Sequence, residues 1–461
     1  MPAYKKKRNG LRAIWQPAMY RGDSEMFELL KSSPSLRRFF AARLQSELGE
    51  GAAYVALVLV AYQRLHSGWA IALVLLADFL PGIVLSVPFG ALADRFSRRR
   101  LAVVADLLRA GAFIALVLVP SFPATVGFAL LAGVGSALFH PAVNAALPGL
   151  VTEEQRSPAT ALNGSMSSIG LTVGPTLTAV VLLFGRPTLI LAVNGVTFLV
   201  SALLLSRVPF AGSTAAVAGP AAIAGPAATA ATAGPAGPDL KPDSLLSSAV
   251  EGMRSAAQIP GVGALLLVGA ISVLAGGLMN VAEPLLATGP LHAGSAGYSV
   301  LVTAYGTGMV AASFINAQAP SGITSLRRRL LLGILLEGIG MIASSVAPSL
   351  RTAIASFALT GASNALLLGP ELRLFQELVS ERLLGRVFGL RGMLCNAAFV
   401  VAFLSAGAVL ELIGVRGVFA LGGGALLALA AISTIAFRPG RDERSRRVAP
   451  DQPLRALPDL G

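Results

Sequence analysis

The chain has a single cysteine and only three histidines among its 461 residues. Cys395 lies inside an apolar run, so neither a disulfide framework nor a thiolate metal site can be built from this chain. The histidines His66, His140 and His292 are far apart in the sequence. Phosphate-cradling loops of the Gly-rich Lys-Ser/Thr type and Gly-x-Ser-x-Gly elbows are also missing. The sequence therefore predicts no enzyme, no metal centre, no cofactor and no direct use of ATP.

Charged residues are also scarce, at 13%, whereas 54% of the chain is hydrophobic and the mean hydropathy is +0.72. This composition is too apolar for a soluble surface and predicts that the chain lies in a lipid bilayer. The net charge of +13 does not indicate nucleic-acid binding, because the basic residues form short clusters between apolar runs. Aromatic residues make up only 6% of the chain, so no aromatic cage for a cationic drug is evident.

Long apolar runs predict the membrane-spanning helices. A helix needs about 20 apolar residues to cross the hydrocarbon, because every backbone polar group must be satisfied within the segment. Twelve such spans are predicted, near 39–61, 68–90, 101–120, 124–147, 159–183, 187–206, 260–284, 294–317, 329–347, 352–378, 389–413 and 416–437. Lysine and arginine accumulate in alternate connections and near both ends, which predicts cytoplasmic termini.

These features divide the chain into five predicted regions. Residues 1–38 are predicted to be a cytoplasmic tail rather than a signal peptide, because no apolar core follows its lysines. Residues 39–207 and 259–437 are predicted to form two six-helix bundles. Residues 208–258 contain repeated Ala-Gly-Pro-Ala units whose prolines would break a helix in lipid, which predicts a flexible cytoplasmic linker. Residues 438–461 are predicted to be a basic cytoplasmic tail.

The two bundles are predicted to be copies of one another. Residues 133–164 align without a gap to residues 361–392, at an offset of 228 with eight identities. The triple arginine 98–100 recurs at 327–329, within one residue of the same offset. Duplicated six-helix halves are typical of alternating-access transporters.

A polar motif lies between the second and third predicted helices, on the cytoplasmic side. It consists of Gly90, Asp94, Arg95, Arg98 and Arg99. Gly90 permits close helix packing, Asp94 can face a helix amino terminus, and the arginines can anchor at the headgroups and pair with carboxylates. Such contacts hold one access state closed and must break in the other, so the motif is predicted to be a conformational switch.

This motif resembles the signature loop of the major facilitator superfamily. Other segments are similar to the branch that holds enterobactin-type siderophore exporters and macrolide efflux proteins, namely 45–50, 106–110, 139–151 and 385–387. Gly174-Pro175 resembles the antiporter motif of drug exporters, with Thr178-Ala179 in place of the glycine pair that normally follows. The resemblance implies a major facilitator fold and export of a small molecule, usually at the expense of the proton gradient.

Ionisable side chains at membrane depth are costly and are therefore functional candidates. In the first helix, Arg43, Glu47, Glu50 and Tyr54 recur at helical spacing and form a polar stripe that faces the bundle interior. Glu50 lies near the middle of the membrane and is the leading candidate for proton coupling, with Glu47 beside it. The alternative is that each carboxyl simply pairs with a basic side chain.

Other helices carry further polar candidates. Asp106 and Arg109 lie three residues apart on one face of the third helix, which favours a structural role beside the signature loop over substrate contact. The family geometry implies that helices one, four, seven and ten line a cavity. The remaining candidates for proton coupling or substrate contact are Asp78, Asn144, Asn280, Glu283 and Asn364.

The sequence therefore predicts an all-α polytopic membrane protein with about twelve transmembrane helices in two bundles. We expect a proton-coupled exporter of a drug, macrolide or siderophore in the inner (plasma) membrane. Its predicted partners are the small-molecule substrate and the lipid bilayer, and we expect a monomer. Two alternatives stay open, an importer of a small metabolite with the same fold and a non-transporting membrane sensor or scaffold.

Overall fold

The computed structural model describes residues 30, 33–182, 184–210, 259, 261–320 and 322–436. The predicted linker and both predicted tails lie almost entirely outside these residues, so their boundaries stay predictions. The described residues form helices and contain no strand. The predicted all-α architecture is therefore confirmed.

The first half of the protein contains six helices. They are α1 (Pro34–Leu65), α2 (Gly68–Arg95), α3 (Arg98–Leu118), α4 (Phe122–Ala146), α5 (Arg156–Leu182) and α6 (Pro187–Ser206). A 3₁₀ turn over Leu147–Leu150 continues α4. Serine side chains cap α1, α2 and α4, because Ser33, Ser67 and Ser121 each accept a hydrogen bond from a first-turn amide.

The second half contains α7 (Val262–Thr288), α8 (Gly294–Gln318), α9 (Ile323–Ser345), α10 (Leu350–Leu378) and a long helix over Glu381–Ala436. The long helix breaks at Gly414, whose φ of 68° and ψ of 174° are not helical. Glycine tolerates this positive φ because it has no Cβ. We label the part before Gly414 as α11 and the part after it as α12.

Nine helical stretches of the described chain are long and apolar enough to cross a membrane. The last of them contains both α11 and α12. In α9 the triple arginine 327–329 and Glu337 exceed the charge that this criterion allows. Among the residues whose side chains are described, α5 contributes the shorter apolar stretch Val173–Leu182. Both helices pack within their bundles.

Helix packing in the second half repeats that of the first. In the first half α2 and α3 pack on α4, and α1 packs on α5 and α6; in the second half α8 and α9 pack on α10, and α7 packs on the α11–α12 helix. Gly195 on α6 faces the backbone of Ala110 on α3, and Gly423 on α12 faces the backbone of Gly338 on α9. Both members of the second pair lie 228 residues after those of the first. The contacts therefore follow the register of the sequence repeat.

The aligned glycines of the repeat also have a common role. Gly133 on α4 faces the main-chain carbonyl of Asp78 on α2, and Gly361 on α10 faces that of Tyr305 on α8. At either position a Cβ would overlap the facing carbonyl. These identities are therefore explained by close helix crossings, which small residues permit in membrane proteins.

The two halves meet through α2 and α11 and through α5 and α8. Thr176 on α5 donates a hydrogen bond of 3.3 Å to Thr303 on α8. The ring of Phe79 on α2 stacks at 6.1 Å from that of Phe399 and at 5.7 Å from that of Phe403, both on α11. One apolar cluster combines residues of both halves, and its members from the first half are Val55, Val58, Leu59, Ile71, Ala72 and Leu75.

A second apolar cluster lies at the opposite end of the first half, which is predicted to be cytoplasmic. It contains Leu36, Phe39, Val143 and Leu205, and all of its described members belong to the first half. The halves are thus closed against each other toward the outer end, where α1 ends and α2 begins. Within the part of the chain described here, the protein is in a state closed to the outside.

Candidate functional site

Arg109 on α3 is the centre of a buried polar cluster. Its side chain is fully buried, and its guanidinium contacts the carboxylates of Glu50 on α1 and of Asp106 on α3. The ring centroids of Phe139 and Phe198 lie 4.0 Å and 4.1 Å from its guanidinium carbon. Two carboxylates and two aromatic faces therefore compensate the removal of this cation from water.

Glu50 is the exposed member of this cluster. Its side chain is 28% exposed, whereas those of Arg109 and Asp106 are fully buried. Ser136 Oγ on α4 donates a hydrogen bond of 3.5 Å to Glu50 Oε1, and His140 Nε2 lies 3.9 Å from Oε2. Of these carboxylates, Glu50 is the one that water reaches.

Arg43 organises a second set of polar contacts, about two turns of α1 closer to the cytoplasmic end than Glu50. Its guanidinium lies 2.7 Å from Glu47 Oε1, and its Nε donates a hydrogen bond of 3.2 Å to Asn163 Oδ1 on α5. Asn163 in turn donates a hydrogen bond of 3.3 Å to Asn144 on α4. These contacts join α1, α4 and α5.

His140 connects the two sets. Its Nδ1 lies 3.4 Å from Arg43 Nη1, and its Nε2 faces Glu50. Arginine has only donors, so Nδ1 must accept and a neutral His140 carries its proton on Nε2. This tautomer points an N–H group toward the Glu50 carboxylate.

The predicted polar stripe of α1 is therefore found in the structure. Arg43 and Glu47 are buried, with 2% and 6% exposure. Both carboxyls have basic partners, as the alternative interpretation required. The structure thus links Glu47 to Asn144 through Arg43 and Asn163, and His140 joins this set to Glu50.

The antiporter-like motif lies where α5 crosses α1. A Cβ at Gly174 would lie 2.7 Å from the main-chain carbon of Gly51, so a larger residue would separate the helices. Thr178, which replaces a glycine of the motif, donates a hydrogen bond of 3.0 Å to the carbonyl of Ala52. Pro175 lies inside α5. The threonine therefore adds a contact between the helices instead of preventing their close approach.

The signature motif lies at the cytoplasmic end of α2 and the start of α3. Arg98 donates a hydrogen bond of 2.8 Å to the carbonyl of Ala145 on α4, and Arg95 and Arg99 are exposed. A Cβ at Gly90 would meet no described atom within 4 Å. Close helix packing at Gly90 is not seen among the described atoms in this state, and the switch role of the motif stays a prediction. Asp94 belongs to the last turn of α2.

Asp106 and Arg109 were expected beside this motif, and the structure places their contacts elsewhere. They lie eight and eleven residues after the start of α3 at Arg98, so about 12 Å or more separates them from that end. At this depth Arg109 contacts both Glu50 on α1 and its neighbour Asp106. The two residues therefore belong with the coupling candidates in space.

A buried ion pair of the second half was missed. Arg391 on α11 binds Glu371 on α10 through two hydrogen bonds of 2.8 Å and 3.0 Å. Their side chains are 3% and 0% exposed. Both lie within the aligned repeat, where Arg391 corresponds to Asn163 and Glu371 to Val143. A search for identities cannot find a pair that occurs in one copy only.

The remaining candidates are distributed over both halves. Glu283 on α7 is buried, with 5% exposure, and Asn280 and Asn364 are partly buried on α7 and α10. Asp78 on α2 is partly buried and interacts electrostatically with Glu50. Asp78 belongs to the half that holds the Arg109 cluster, whereas Asn280, Glu283 and Asn364 belong to the second half.

The model of one protein family matches residues 39–249 and 265–458, and its description is Major Facilitator Superfamily. The chain belongs to the major facilitator superfamily. The family and fold predicted from the sequence are thereby confirmed. Members of this superfamily are multi-pass membrane transporters, so this chain is a transporter.

Curated relatives of this major facilitator protein include two macrolide efflux proteins. Macrolide efflux protein A of Streptococcus pyogenes is 24% identical over 390 residues, which cover 82% of this chain and 90% of the relative. Macrolide efflux protein A of Enterococcus faecalis is 25% identical over 338 residues, which cover 71% and 96%. These matches support the predicted macrolide efflux branch.

Solved structures of other major facilitator proteins share the fold. The nucleoside transporter NupG has a TM-score of 0.66 at 12% identity, over 88% of this chain and 100% of that one. A bacterial homolog of the human lysosomal transporter Spinster, in an inward-facing and unoccupied conformation, has a TM-score of 0.61 at 15% identity, over 88% and 96%. At these identities the likeness concerns the fold alone.

Proposed function

We propose that this transporter is a proton-coupled exporter of a small molecule of the macrolide, drug or siderophore class. The observation that carries the proposal is the position of Glu50, a partly exposed carboxylate bound to the fully buried Arg109. Protonation of Glu50 would remove its negative charge and release it from Arg109. One proton can therefore change the contacts between α1 and α3.

The direction of proton movement follows from the access state. Glu50 is paired with Arg109 while the outer end is closed, and this pairing requires an unprotonated carboxylate. This arrangement fits a transporter that has released its proton toward the cytoplasm. When the outer end opens, a proton from outside can neutralise Glu50, and Arg109 keeps Asp106 as its partner. Each cycle then carries one proton inward.

Two observations favour export over import. The relatives named as macrolide efflux proteins match over most of their own length. The crossing of α1 and α5 at Gly51 and Gly174 contains the Gly174-Pro175 pair that resembles the antiporter motif. Because Glu50 precedes Gly51 on α1, this crossing places the motif beside the proposed proton site. We expect a monomer in the inner (plasma) membrane.

Energised efflux from cells that lack their own pumps tests this proposal. The probes are a radiolabelled macrolide, ethidium and a catecholate siderophore, each measured with and without an uncoupler. The variants are Glu50→Gln, Asp94→Asn and the control Glu153→Gln, which alters an exposed loop carboxylate. We expect uncoupler-sensitive efflux by the wild type and the control, and at least a tenfold loss in Glu50→Gln.

Exchange of substrate across proteoliposomes separates coupling from folding. Glu50→Gln should still exchange external for internal substrate, because exchange needs alternating access without net proton release. Loss of both efflux and exchange would assign Glu50 a structural role instead. Accumulation of a probe by the wild type would support the importer alternative, and absence of any flux would support the sensor or scaffold alternative.

A further inference from the structure

Two consecutive residues of α4 lie between the polar contacts around Arg109 and those around Arg43. The Nδ1 atom of His140 is 3.4 Å from Arg43 Nη1, and its Nε2 atom is 3.9 Å from Glu50 Oε2. The ring centroid of Phe139 is 5.7 Å from the guanidinium carbon of Arg43 and 4.0 Å from that of Arg109. The two residues therefore connect the two sets of contacts.

The face of α4 that carries His140 contacts α1 and α5 along its length. Ser136, one turn before His140, donates a hydrogen bond of 3.5 Å to Glu50. Asn144, one turn after His140, accepts a hydrogen bond of 3.3 Å from Asn163. Residues four apart lie on the same face of a helix. His140 is thus the middle position of a polar stripe on α4 that contacts the polar stripe of α1.

The contact with Arg43 limits the chemistry of the His140 ring. A guanidinium has donors only, so a proton on Nδ1 would place two donors against each other. It would also add a positive charge beside the positive charge of Arg43. Because the neutral ring already carries its proton on Nε2, it cannot take a second proton while the contact with Arg43 persists. The ring can therefore donate toward Glu50 but cannot accept from it.

Charged groups surround His140 on three helices of the first half. Those that contact the ring or its charged neighbours are Arg43, Glu47 and Glu50 on α1 and Asp106 and Arg109 on α3, and Asp78 on α2 interacts electrostatically with Glu50. The side chains of His140 and Glu50 are 26% and 28% exposed, so a water molecule can bridge the 3.9 Å between their facing atoms. A change of protonation in this group therefore begins at Glu50.

We infer that His140 is a positioning residue that stays neutral and transmits the protonation state of Glu50 to Arg43. The Glu50 carboxylate attracts the Nε2–H group, which orients Nδ1 toward Arg43 as an acceptor. When Glu50 takes up a proton, its charge no longer orients the ring, and Arg43 loses this acceptor. The proton stays on Glu50, and none enters or leaves the ring. This inference rests on the proposed proton-coupled export and names the residue that links the proton to helix packing.

Arg43 connects this change to the contact between α1 and α5. Its Nε donates a hydrogen bond of 3.2 Å to Asn163 on α5. Farther along the same crossing, a Cβ at Gly170 would lie 2.5 Å from the main-chain oxygen of Glu47, and Gly174 of the antiporter-like motif follows one turn later. One proton therefore alters the contacts of α1 with α3 through Arg109 and with α5 through Arg43.

Solid-state nitrogen NMR of the histidine rings tests the inference without transport. The full-length protein is labelled with isotopic histidine and reconstituted in lipid bilayers. The chain has three histidines, so loss of one signal in His140→Gln identifies that of His140. We expect a protonated Nε2 and an unprotonated Nδ1 at alkaline and at mildly acidic pH. Acidification should shift the Nε2 signal in the wild type and not in Glu50→Gln.

Net efflux from energised cells measures what the ring contributes to transport. His140→Leu removes both donor and acceptor, so we expect a loss of about tenfold or more, as removal of one hydrogen bond to a charged group produces. His140→Gln restores a donor and an acceptor on one amide that does not ionise, and should remain within about threefold of wild type. His292→Gln, in the exposed connection between α7 and α8, is the matched control and should leave efflux unchanged. Thermal unfolding shows whether each variant is folded.

Three results would overturn the inference. A doubly protonated His140 ring on acidification would make the residue a proton relay. Tenfold losses of efflux in both His140→Gln and His140→Leu would point the same way. Wild-type efflux by folded His140→Leu would show that Glu50 does not act through the ring. If the neutral ring responds to Glu50 in the NMR spectra but the energised cells show no efflux, the link between these residues stands and the proposed export function fails.

Discussion

The indole nitrogen of Trp69, in the first turn of α2, donates a hydrogen bond of 3.0 Å to the carboxylate of Glu411 near the end of α11. The indole ring also covers Gly407 on α11, where any Cβ would overlap it. Gly68 faces the side chain of Leu410 in the same region. The outer ends of the two halves are therefore joined by a tryptophan that only a glycine can accommodate.

Substitution of that glycine should open the outer end. In Gly407→Val the added side chain would occupy the space of the Trp69 ring, so we expect the population to shift away from the state described here. Pulsed electron spin resonance between labels at Leu65→Cys and Leu412→Cys measures the separation of the outer ends. Both positions are exposed, and the native Cys395 is buried.

Gly424→Ala is the matched control for this experiment. Gly424 lies on α12, and a Cβ there would meet no described atom within 4 Å. We expect its distance distribution to equal that of the wild type. An unchanged distribution in Gly407→Val would show that the contact with Trp69 does not hold the outer end closed.

The residues of the Arg109 cluster should be strongly coupled in their contributions to the free energy of unfolding. Arg109→Met leaves the buried Asp106 without its cation, so we expect a loss of about 3–5 kcal/mol in the free energy of unfolding. The double variant Arg109→Met with Asp106→Asn should recover part of this loss, because the uncompensated charge is gone. A double-mutant cycle from reversible unfolding in mixed micelles measures the coupling. Simple additivity of the two single losses would contradict it.

Even a small added side chain should disrupt the crossing of α1 and α5. Gly174→Ala places a Cβ 2.7 Å from main-chain atoms of Gly51 and Ala52, so we expect loss of transport and a lower unfolding temperature. Gly82→Ala in α2 is the control, because a Cβ there meets no described atom within 4 Å. Efflux and thermal unfolding of both variants measure the difference. Equal efflux and equal unfolding temperatures in the two variants would contradict a functional role of this crossing.

Removal of the hydrogen bond donated by Thr178 tests the same crossing in a second way. Thr178→Val keeps the shape of the side chain and removes the donor to the Ala52 carbonyl, so we expect a loss of about 0.6 kcal/mol in the free energy of unfolding. Thr178→Ser keeps the donor and is the control. A loss in Thr178→Ser as large as that in Thr178→Val would assign the effect to packing of the methyl group.

The buried ion pair of Glu371 and Arg391 should contribute far more to stability than an exposed ion pair. Glu371→Gln leaves Arg391 buried without its carboxylate, and we expect a loss of about 3–5 kcal/mol in stability. Glu153→Gln breaks the exposed pair with Arg156, at 2.7 Å, and should leave the unfolding temperature unchanged. Differential scanning fluorimetry compares both variants with the wild type. Similar shifts for the two would contradict the role assigned to burial.

The fold could be predicted from the sequence because each helix is limited by length and polarity. The spans near 68–90 and 187–206 agree closely with Gly68–Arg95 and Pro187–Ser206. The final two spans were predicted as separate helices, and the structure joins them at Gly414, where one glycine replaces a loop. A hydropathy pattern cannot show whether such a break is a bend or a loop.

The candidate site could be predicted only in part. The stripe of α1 was predictable, because charge at membrane depth must face the bundle interior. The partners could not be assigned, since Arg109 was grouped with the neighbouring loop in sequence and binds α1 in space.

Gly414 gives α11 and α12 a mechanical connection that a flexible loop would not. The two helices follow each other without an intervening coil. Gly407 lies seven residues before the bend and Gly423 nine residues after it, which is about two to three helical turns. We therefore expect tilting of α11 away from Trp69 to move α12 as well, and also α9 through the contact of Gly423 with Gly338. The outer end of α11, together with α12 and α9, would then move as one unit, with the bend at Gly414 inside it.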